Sequence, residues 1–335
     1  MESSISKKQA VKDALEHRER FPVPYFLNFS PGIAVRLKRY FQAADLERDL
    51  GNYLIWTQVT PVIPEDLASD SYTDIFGVTW GNVGATRGYP VRHPLSEPTL
   101  RNYHFPEPCP DEKLEKLRQT LSTNEDLFCL VNVGDFFERA NFMRGMKEFM
   151  TDMYKHPDFV DELMNGILSY NLEVMDRLSG LSIDGLSLSD DYGHQGGLLL
   201  SPSLWRRFIK PHLKTMFRKI RERGWYVFLH SDGAISPLLP ELIEVGIHAL
   251  HPVQSEVMDL QYMKTHFGDR ITIFGGVGTQ STLIRERPDV LKDKVRAVCR
   301  TLGKGGGLII TPGIQMHDDT PLENAVAFVQ AVRTQ

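Results

Sequence analysis

Cysteine is scarce in this chain: three in 335 residues, Cys109, Cys129 and Cys299. They are far apart and form no CxxC pair. A disulfide framework and a cysteine-based zinc site are therefore not expected, and a reducing, cytoplasmic setting is the simplest one. Cys129 and Cys299 read as buried packing. Long apolar runs are missing too; none approaches the roughly 20 residues that cross a bilayer. Met1 to Arg20 is polar and charged, with no apolar signal region, so no membrane partner is expected. Basic charge is not in excess: 38 Lys and Arg stand against 43 Asp and Glu, a net charge of −5. With no lysine- or arginine-rich arm, nothing draws the chain to nucleic acid. Internal repeats and low-complexity linkers are also lacking. Gly303-Lys304-Gly305-Gly306-Gly307 is rich in glycine, but it follows a helical pattern and precedes a strand. That is the wrong order for a phosphate cradle, and it reads as a tight turn.

What is present is globular: 41% apolar and 24% charged residues. From residue 127 onward the pattern alternates strand and helix. Strands are expected at Leu127 to Val133, Ile183 to Leu188, Trp225 to Leu229, Ile247 to Leu250, Ile271 to Phe274 and Leu308 to Ile310. Helices are expected over Phe142 to Tyr154 and Phe159 to Leu178, then from Ser201-Pro202 to about Arg223. Three more follow at Pro237 to Val245, Met258 to Phe267 and Pro288 to Leu302, and a last one at Pro321 to Val332. The stripe Met143, Met146, Met150 and Met153 reads as packing. The first part is less regular, with a strand at Tyr25 to Phe29 and a hairpin around Phe76 to Trp80. Six successive βα units close best as a (β/α)8 TIM barrel with an N-terminal elaboration. The whole of 1–335 then forms one domain, with 1–125 as its irregular part. An open doubly wound sheet is the alternative, but its glycine-rich first turn is not found.

In such a barrel all strands end at one rim, and chemistry sits there. Those ends carry Asn28, Asp135, Asp190-Asp191, His194, His230-Ser231-Asp232, His251, Gln254 and His317. His230 and Asp232 are the most informative pair. Residues two apart on a strand face one way, so they converge where Trp225 to Leu229 gives way to a loop. A His held by Asp at a loop entry is the plain reading of the same pair. Of the adjacent Asp190 and Asp191, one at most faces inward, and Asp191 at the loop start is favoured. His194, His230, His251 and the aspartates together suit a divalent metal, such as zinc with an open position, or an acid/base pair. His251 reads equally well as a hydrogen-bonded core histidine. Phe29, Trp80, Phe136, Phe137 and Tyr192 are candidates for an apolar wall against a planar substrate, though each alone also reads as core.

Asp190-Asp191-Tyr192-Gly193, the run Phe228-Leu229-His230-Ser231-Asp232-Gly233, Pro252-Val253-Gln254, Phe274-Gly275-Gly276-Val277 and Thr320-Pro321-Leu322-Glu323-Asn324 resemble the uroporphyrinogen decarboxylase superfamily. The resemblance covers residues 125–335 well and the first third loosely. It implies a (β/α)8 barrel and one of two chemistries. The decarboxylases carry an N-terminal arginine-rich signature that is not found near Tyr25 to Arg39. The other branch, the cobamide-dependent methyltransferases, moves a methyl group between a small substrate and the cobalt of a corrinoid protein. Many of its members hold zinc through a His-x-Cys pair and a later Cys. Here the His falls on His230, the first Cys position on Asp232 and the later one at about Ile314.

That replacement argues against a soft, thiol-activating site. It suits instead a harder site that polarises an ether or alcohol oxygen. The implied function is O-demethylation of a small methoxylated, aromatic substrate, with a corrinoid (cobalamin) protein as partner and acceptor. His230, Asp232, Asp191 and His194 would be catalytic, with His230, Asp232 and His194 as metal ligands. Asn28, Phe136, Phe137, Tyr192, His251 and Gln254 would bind substrate. An acid–acid–His spacing of some O-demethylating members is matched by Asp158, Glu173 and His194. On one helix, however, those two acids would lie about 22 Å apart and could not share a metal. A tetrapyrrole decarboxylase and a non-catalytic corrinoid-docking protein are the alternatives.

Overall fold

In the computed structural model, residues 5–60, 70–81 and 88–335 are described. Among them are twelve strands: β1 Leu54–Gln58, β2 Ser71–Thr73, β3 Thr79–Gly81, β4 Tyr89–Arg92, β5 Phe128–Gly134, β6 Gly185–Ser189, β7 Gly193–His194, β8 Gly197–Leu198, β9 Tyr226–His230, β10 Ala249–Val253, β11 Thr272–Val277 and β12 Leu308–Pro312. Seven of them form one parallel sheet in the order β1-β5-β6-β9-β10-β11-β12. Every residue of β10, β11 and β12 is buried, as expected of parallel strands covered on both faces.

Segment 24–29 fills the gap between the first and last of these strands. On one side Phe26 N–H donates to Ile310 O at 3.0 Å and Ile310 N–H to Pro24 O at 2.9 Å. On the other, Tyr53 N–H donates to Tyr25 O at 3.2 Å. The Asn52 side chain clasps Leu27, accepting from its N–H at 2.8 Å and donating to its carbonyl at 3.0 Å. The ring is thus closed by an eighth stave, and the (β/α)8 barrel with its N-terminal elaboration is the fold adopted. The elaboration includes the antiparallel sheet β2-β3-β4.

The N-terminal helix Lys7–Leu15 plugs the amino-terminal end of the barrel. Val11, Ala14 and Leu15 pack on Phe26, Leu54, Phe128, Phe228, Phe274 and Ile309 inside the ring. Gly307 N–H and Thr272 Oγ1 both donate to Ala14 O at 3.1 Å. The described residues therefore fill the interior at that end, and the large cavity lies towards the strands' carboxyl ends.

Three expectations need correction. β1 was not among the expected strands, although Tyr53 to Thr60 is rich in β-branched and aromatic residues between Asn52 and Pro61. Its side chains are mostly half-buried, which blurs the pattern. The helix expected over Phe142 to Tyr154 is two, Phe137–Arg144 and Met146–Lys155, parted by Gly145 at φ 91°. The helix expected from Pro202 to about Arg223 is also two, Pro202–Phe208 and Lys210–Glu222. Pro211 has no N–H to continue the ladder, and its ring crowds the preceding turn. Of the methionine stripe, Met143 and Met153 are buried and Met146 is exposed. All three cysteines are free and buried.

Leu27 is fully buried, so its backbone polar groups have no water to fall back on. Asn52→Ala is expected to lower the unfolding free energy by about 3 kcal/mol by orphaning one donor and one acceptor. Urea unfolding followed by far-ultraviolet circular dichroism measures this; a loss under about 0.5 kcal/mol would mean that the clasp does not hold the stave.

Candidate active site

The open carboxyl-terminal mouth holds a cavity of about 560 Å³. Its lining comes from separate staves: Phe26 and Asn28 from the closing segment; Trp56, Thr57 and Gln58 from β1; Asn132 and Gly134 from β5. Ser189 comes from β6, His230 from β9 and His251 from β10. Parallel register explains the convergence. Ser189 pairs with His230, and His230 with His251. Three polar side chains at one level of three adjacent strands therefore face one space.

His230 is the centre of the polar group. Its Nδ1 lies 2.8 Å from His251 Nδ1. Its Nε2 faces the other way, 3.8 Å from Asp191 Oδ1 and 4.0 Å from Asp232 Oδ2. His251 is buried, and burial, with His230 beside it, holds its pKa well below the ordinary histidine range. One hydrogen then sits between the two Nδ1 atoms, and it ties both imidazole planes. The Trp56 ring meets His251 edge-on at 4.8 Å between centroids and is fixed by donating Nε1–H to Ser187 Oγ at 2.9 Å. Burial raises the Asp232 carboxyl, with His230 opposing and Asp191 adding to the rise. Asp232 N–H donates to Asp191 Oδ1 at 2.8 Å, which orients that carboxylate.

Asp191, His230 and Asp232 each offer a ligand atom within 4.8 Å of the other two. Asp232 Oδ1 is buried without a hydrogen-bond partner. One imidazole nitrogen and two carboxylate oxygens suit zinc and leave room for a further ligand. The residues present thus fit a divalent metal ion.

Other expected site residues lie elsewhere. His194 is exposed at the end of β7, accepts from Gly196 N–H at 3.0 Å through Nδ1, and is not part of the ligand group. The hairpin that carries it lies on the loop after β9. Only a glycine fits at 233 (φ 86°), where a Cβ would meet the backbone of Gly193 and His194 at 2.5 Å. Gln254 is buried and accepts from Gly233 N–H at 2.9 Å; it shapes the loop beside Asp232. Phe136, Phe137 and Tyr192 do not line the cavity. The chain turns into a helix after Asp135 and carries both phenylalanines into the core, Phe136 beside His212 and Phe137 beside Phe149 and Tyr192. Trp80 is likewise core, packed on Tyr72 and Phe142. Asp158 and Glu173 are exposed on the outer helix Pro157–Arg177.

Asp190 turns away from its neighbour. Fully buried, it accepts from Phe137 N–H at 3.0 Å, Glu138 N–H at 2.7 Å and Tyr192 OH at 2.7 Å. It caps the helix Phe137–Arg144, whose own first residue offers no capping side chain. Burial pushes its carboxyl up to about 7, against the pull of those donors.

Sequence reasoning missed the aromatic wall of Phe26 and Trp56, and also the buried guanidinium of Arg139. Arg139 pairs with Asp135 and, at 3.2 Å, with Asp74. The i,i+4 spacing of Asp135 and Arg139 was the available signal.

The family described as uroporphyrinogen decarboxylase (URO-D) matches residues 111–335. The chain belongs to that family. Among curated relatives, a methylcobamide:CoM methyltransferase MtaA of Methanosarcina barkeri is 23% identical over 192 residues, 57% of this chain and 54% of the relative. A uroporphyrinogen decarboxylase of Coxiella burnetii is 22% identical over 195 residues, 56% and 51% of the two chains. The chain thus spans about half the length of the curated relatives it matches. A solved methyltransferase from Methanosarcina mazei shares the fold, with a TM-score of 0.74, 18% identity and 99% of each chain covered. Among the described residues no helix is long and apolar enough to cross a membrane.

The ligand geometry gives a direct expectation. The purified chain takes up one zinc ion, and His230→Ala or Asp232→Ala weakens its binding by more than about 100-fold, the upper end of what losing a supporting partner costs. His194→Ala leaves binding unchanged. Chelator competition with elemental analysis measures this, and full metal content in His230→Ala would place the ligands elsewhere.

Proposed function

We propose that the chain is a methyltransferase that removes the methyl group from a small methoxylated aromatic substrate and passes it to the cobalt of a partner corrinoid protein. The observation that carries the reading is the nitrogen- and oxygen-donor group Asp191, His230 and Asp232 at the barrel mouth. It stands where the resemblance to cobamide-dependent methyltransferases sets a zinc site. The position of the first thiolate in that branch is Asp232, and Ile314, at the later one, is an apolar residue of the cavity wall.

Cleaving an aryl methyl ether needs a nucleophile at the methyl carbon and stabilisation of the departing phenolate. A reduced corrinoid on a partner protein supplies the nucleophile, and a zinc ion held by Asp191, His230 and Asp232 supplies Lewis acidity toward the ether oxygen. The chain's own residues position the substrate. Trp56 and Phe26 form the wall for its ring, and His251 fixes the His230 imidazole so that Nε2 addresses the site. The plugged amino-terminal end leaves the mouth as the side from which a partner reaches the methyl group.

Tetrapyrrole decarboxylation is less well supported. Such a substrate carries several carboxylates, whereas Arg139 is the one Lys or Arg among the described residues lining the cavity. A volume of about 560 Å³ also falls in the range of small-molecule sites.

The test is incubation of the pure chain with a panel of methoxyarenes and a reduced corrinoid protein, read by the methyl–cobalt absorbance change. Turnover with at least one donor is expected, with His230→Ala slower by about 100-fold or more. No signal with any donor overturns the reading; porphyrinogen turnover would assign the decarboxylase instead, and cobamide binding without turnover a docking protein.

A further inference from the structure

We infer that the substrate of this cavity is uncharged, and that its polar end is bound by the carboxamides of Asn28, Gln58 and Asn132 rather than by a cation. The inference rests on the functional reading above and narrows it from methoxyarenes in general to those without a carboxylate, such as methoxyphenols.

Among the described residues the cavity has one guanidinium, and it is already committed. Arg139 donates from Nε and Nη2 to Asp135 Oδ1 and Oδ2 at 3.1 and 3.3 Å, and from Nη1 to Asp74 Oδ2 at 3.2 Å. Its guanidinium carbon sits 4.1 Å from the centre of the Phe76 ring. Neither carboxylate is free to swing away. Asp74 also accepts from Phe76 N–H at 2.9 Å, Val78 N–H at 3.0 Å and Trp80 Nε1–H at 3.0 Å. The backbone carbonyl of Asp135 is held by Asn171 Nδ2 at 3.0 Å. Two carboxylates on one buried guanidinium leave this wall net negative, and Glu47 adds another acid at the mouth. A substrate carboxylate would lose its water beside Asp135 and find no free Lys or Arg among the described lining residues. At His230, a divalent ion held with Asp191 and Asp232 would already have its charge balanced by those two carboxylates.

The carboxamides provide what an uncharged group needs. Gln58 and Asn132 are register partners on β1 and β5, and Asn28 lies on the closing segment next to β1. Among the described residues, the side chains of Asn28 and Gln58 make no hydrogen bond. Asn132 uses only its oxygen, accepting from Gly134 N–H at 3.2 Å. Each therefore keeps donor capacity facing the cavity, and Asn28 and Gln58 keep acceptor capacity too, which matches a hydroxyl or carbonyl. Trp56 and Phe26 supply the apolar face for the ring.

The test is calorimetric titration of the zinc-loaded chain, without corrinoid protein, with 2-methoxyphenol and with 2-methoxybenzoate. The phenol is expected to bind at least about tenfold tighter, because the carboxylate meets like charge. Gln58 is exposed at the rim, so Gln58→Lys adds a free cation without disturbing packing, and it is expected to cut that ratio to about threefold or less. Equal or tighter binding of the benzoate by the unmodified chain overturns the inference, as does a ratio unmoved by Gln58→Lys or the failure of both ligands to bind. Methyl–cobalt formation from carboxylated donors alone would sink this inference while leaving the methyltransferase reading intact.

Discussion

Segment 24–29 is held by isolated bridges, Tyr25 to Ile310 and Phe29 to Met316, and by the clasp of Asn52 on Leu27. It forms no ladder of its own, yet it turns a curved seven-stranded sheet into a ring. Ring closure brings every strand's carboxyl end to one mouth, and the segment also furnishes two lining residues, Phe26 and Asn28. The opposite end needs a stopper, because a barrel this size encloses only what side chains can fill. Val11, Ala14 and Leu15 provide it. Closure at one end and plugging at the other together fix where a small molecule can enter.

Within that frame the site follows from register. β6, β9 and β10 pair without a shift through Ser189, His230 and His251, so those side chains share one level. The ladders become irregular around or just beyond it, between Asn132 and Gly134 and between Leu250 and Val253. Such irregularities re-aim side chains where a strand gives way to its loop. The pairing of His230 Nδ1 with His251 is thus a product of the regular part, and the placing of Asp191 and Asp232 a product of the loops.

The βα order from Phe128 onward was legible because buried parallel strands are continuous apolar runs and the helices carry clear stops. His230, Asp191 and Asp232 were legible for a related reason: a strand end followed by a polar loop has a definite place in a closed barrel. β1 was not, because its half-buried side chains give neither alternation nor a solid apolar run. Phe136, Phe137 and Tyr192 were misjudged as cavity residues because aromatic rings near a strand end look alike in sequence whether they turn inward or into the outer core. The choice depends on the angle at which the following helix leaves, and here the buried Asp190 sets that angle from another strand. His194 was misplaced for a similar reason. It follows Tyr192-Gly193 in sequence, but the β7–β8 hairpin carries it out to solvent.

The acidic groups around the mouth show which of them await a partner. Asp190 spends its oxygens on two backbone N–H groups and a tyrosine hydroxyl. Asp135 and Asp74 share Arg139. Asp191 Oδ1 accepts from Asp232 N–H at 2.8 Å; beyond that the pair has only the imidazole of His230, at 3.8 and 4.0 Å, and Asp232 Oδ1 is buried without a hydrogen-bond partner. Two carboxylates this close disfavour each other's charge unless a cation joins them. A fold that meets Asp190, Asp135 and Asp74 with fixed donors has left this half-buried pair beside His230, whose far nitrogen is tied down. Family membership alone does not choose among chemistries, since one fold hosts several. The choice rests on this local imbalance, which a divalent cation would relieve and which a tetrapyrrole's carboxylates would make worse.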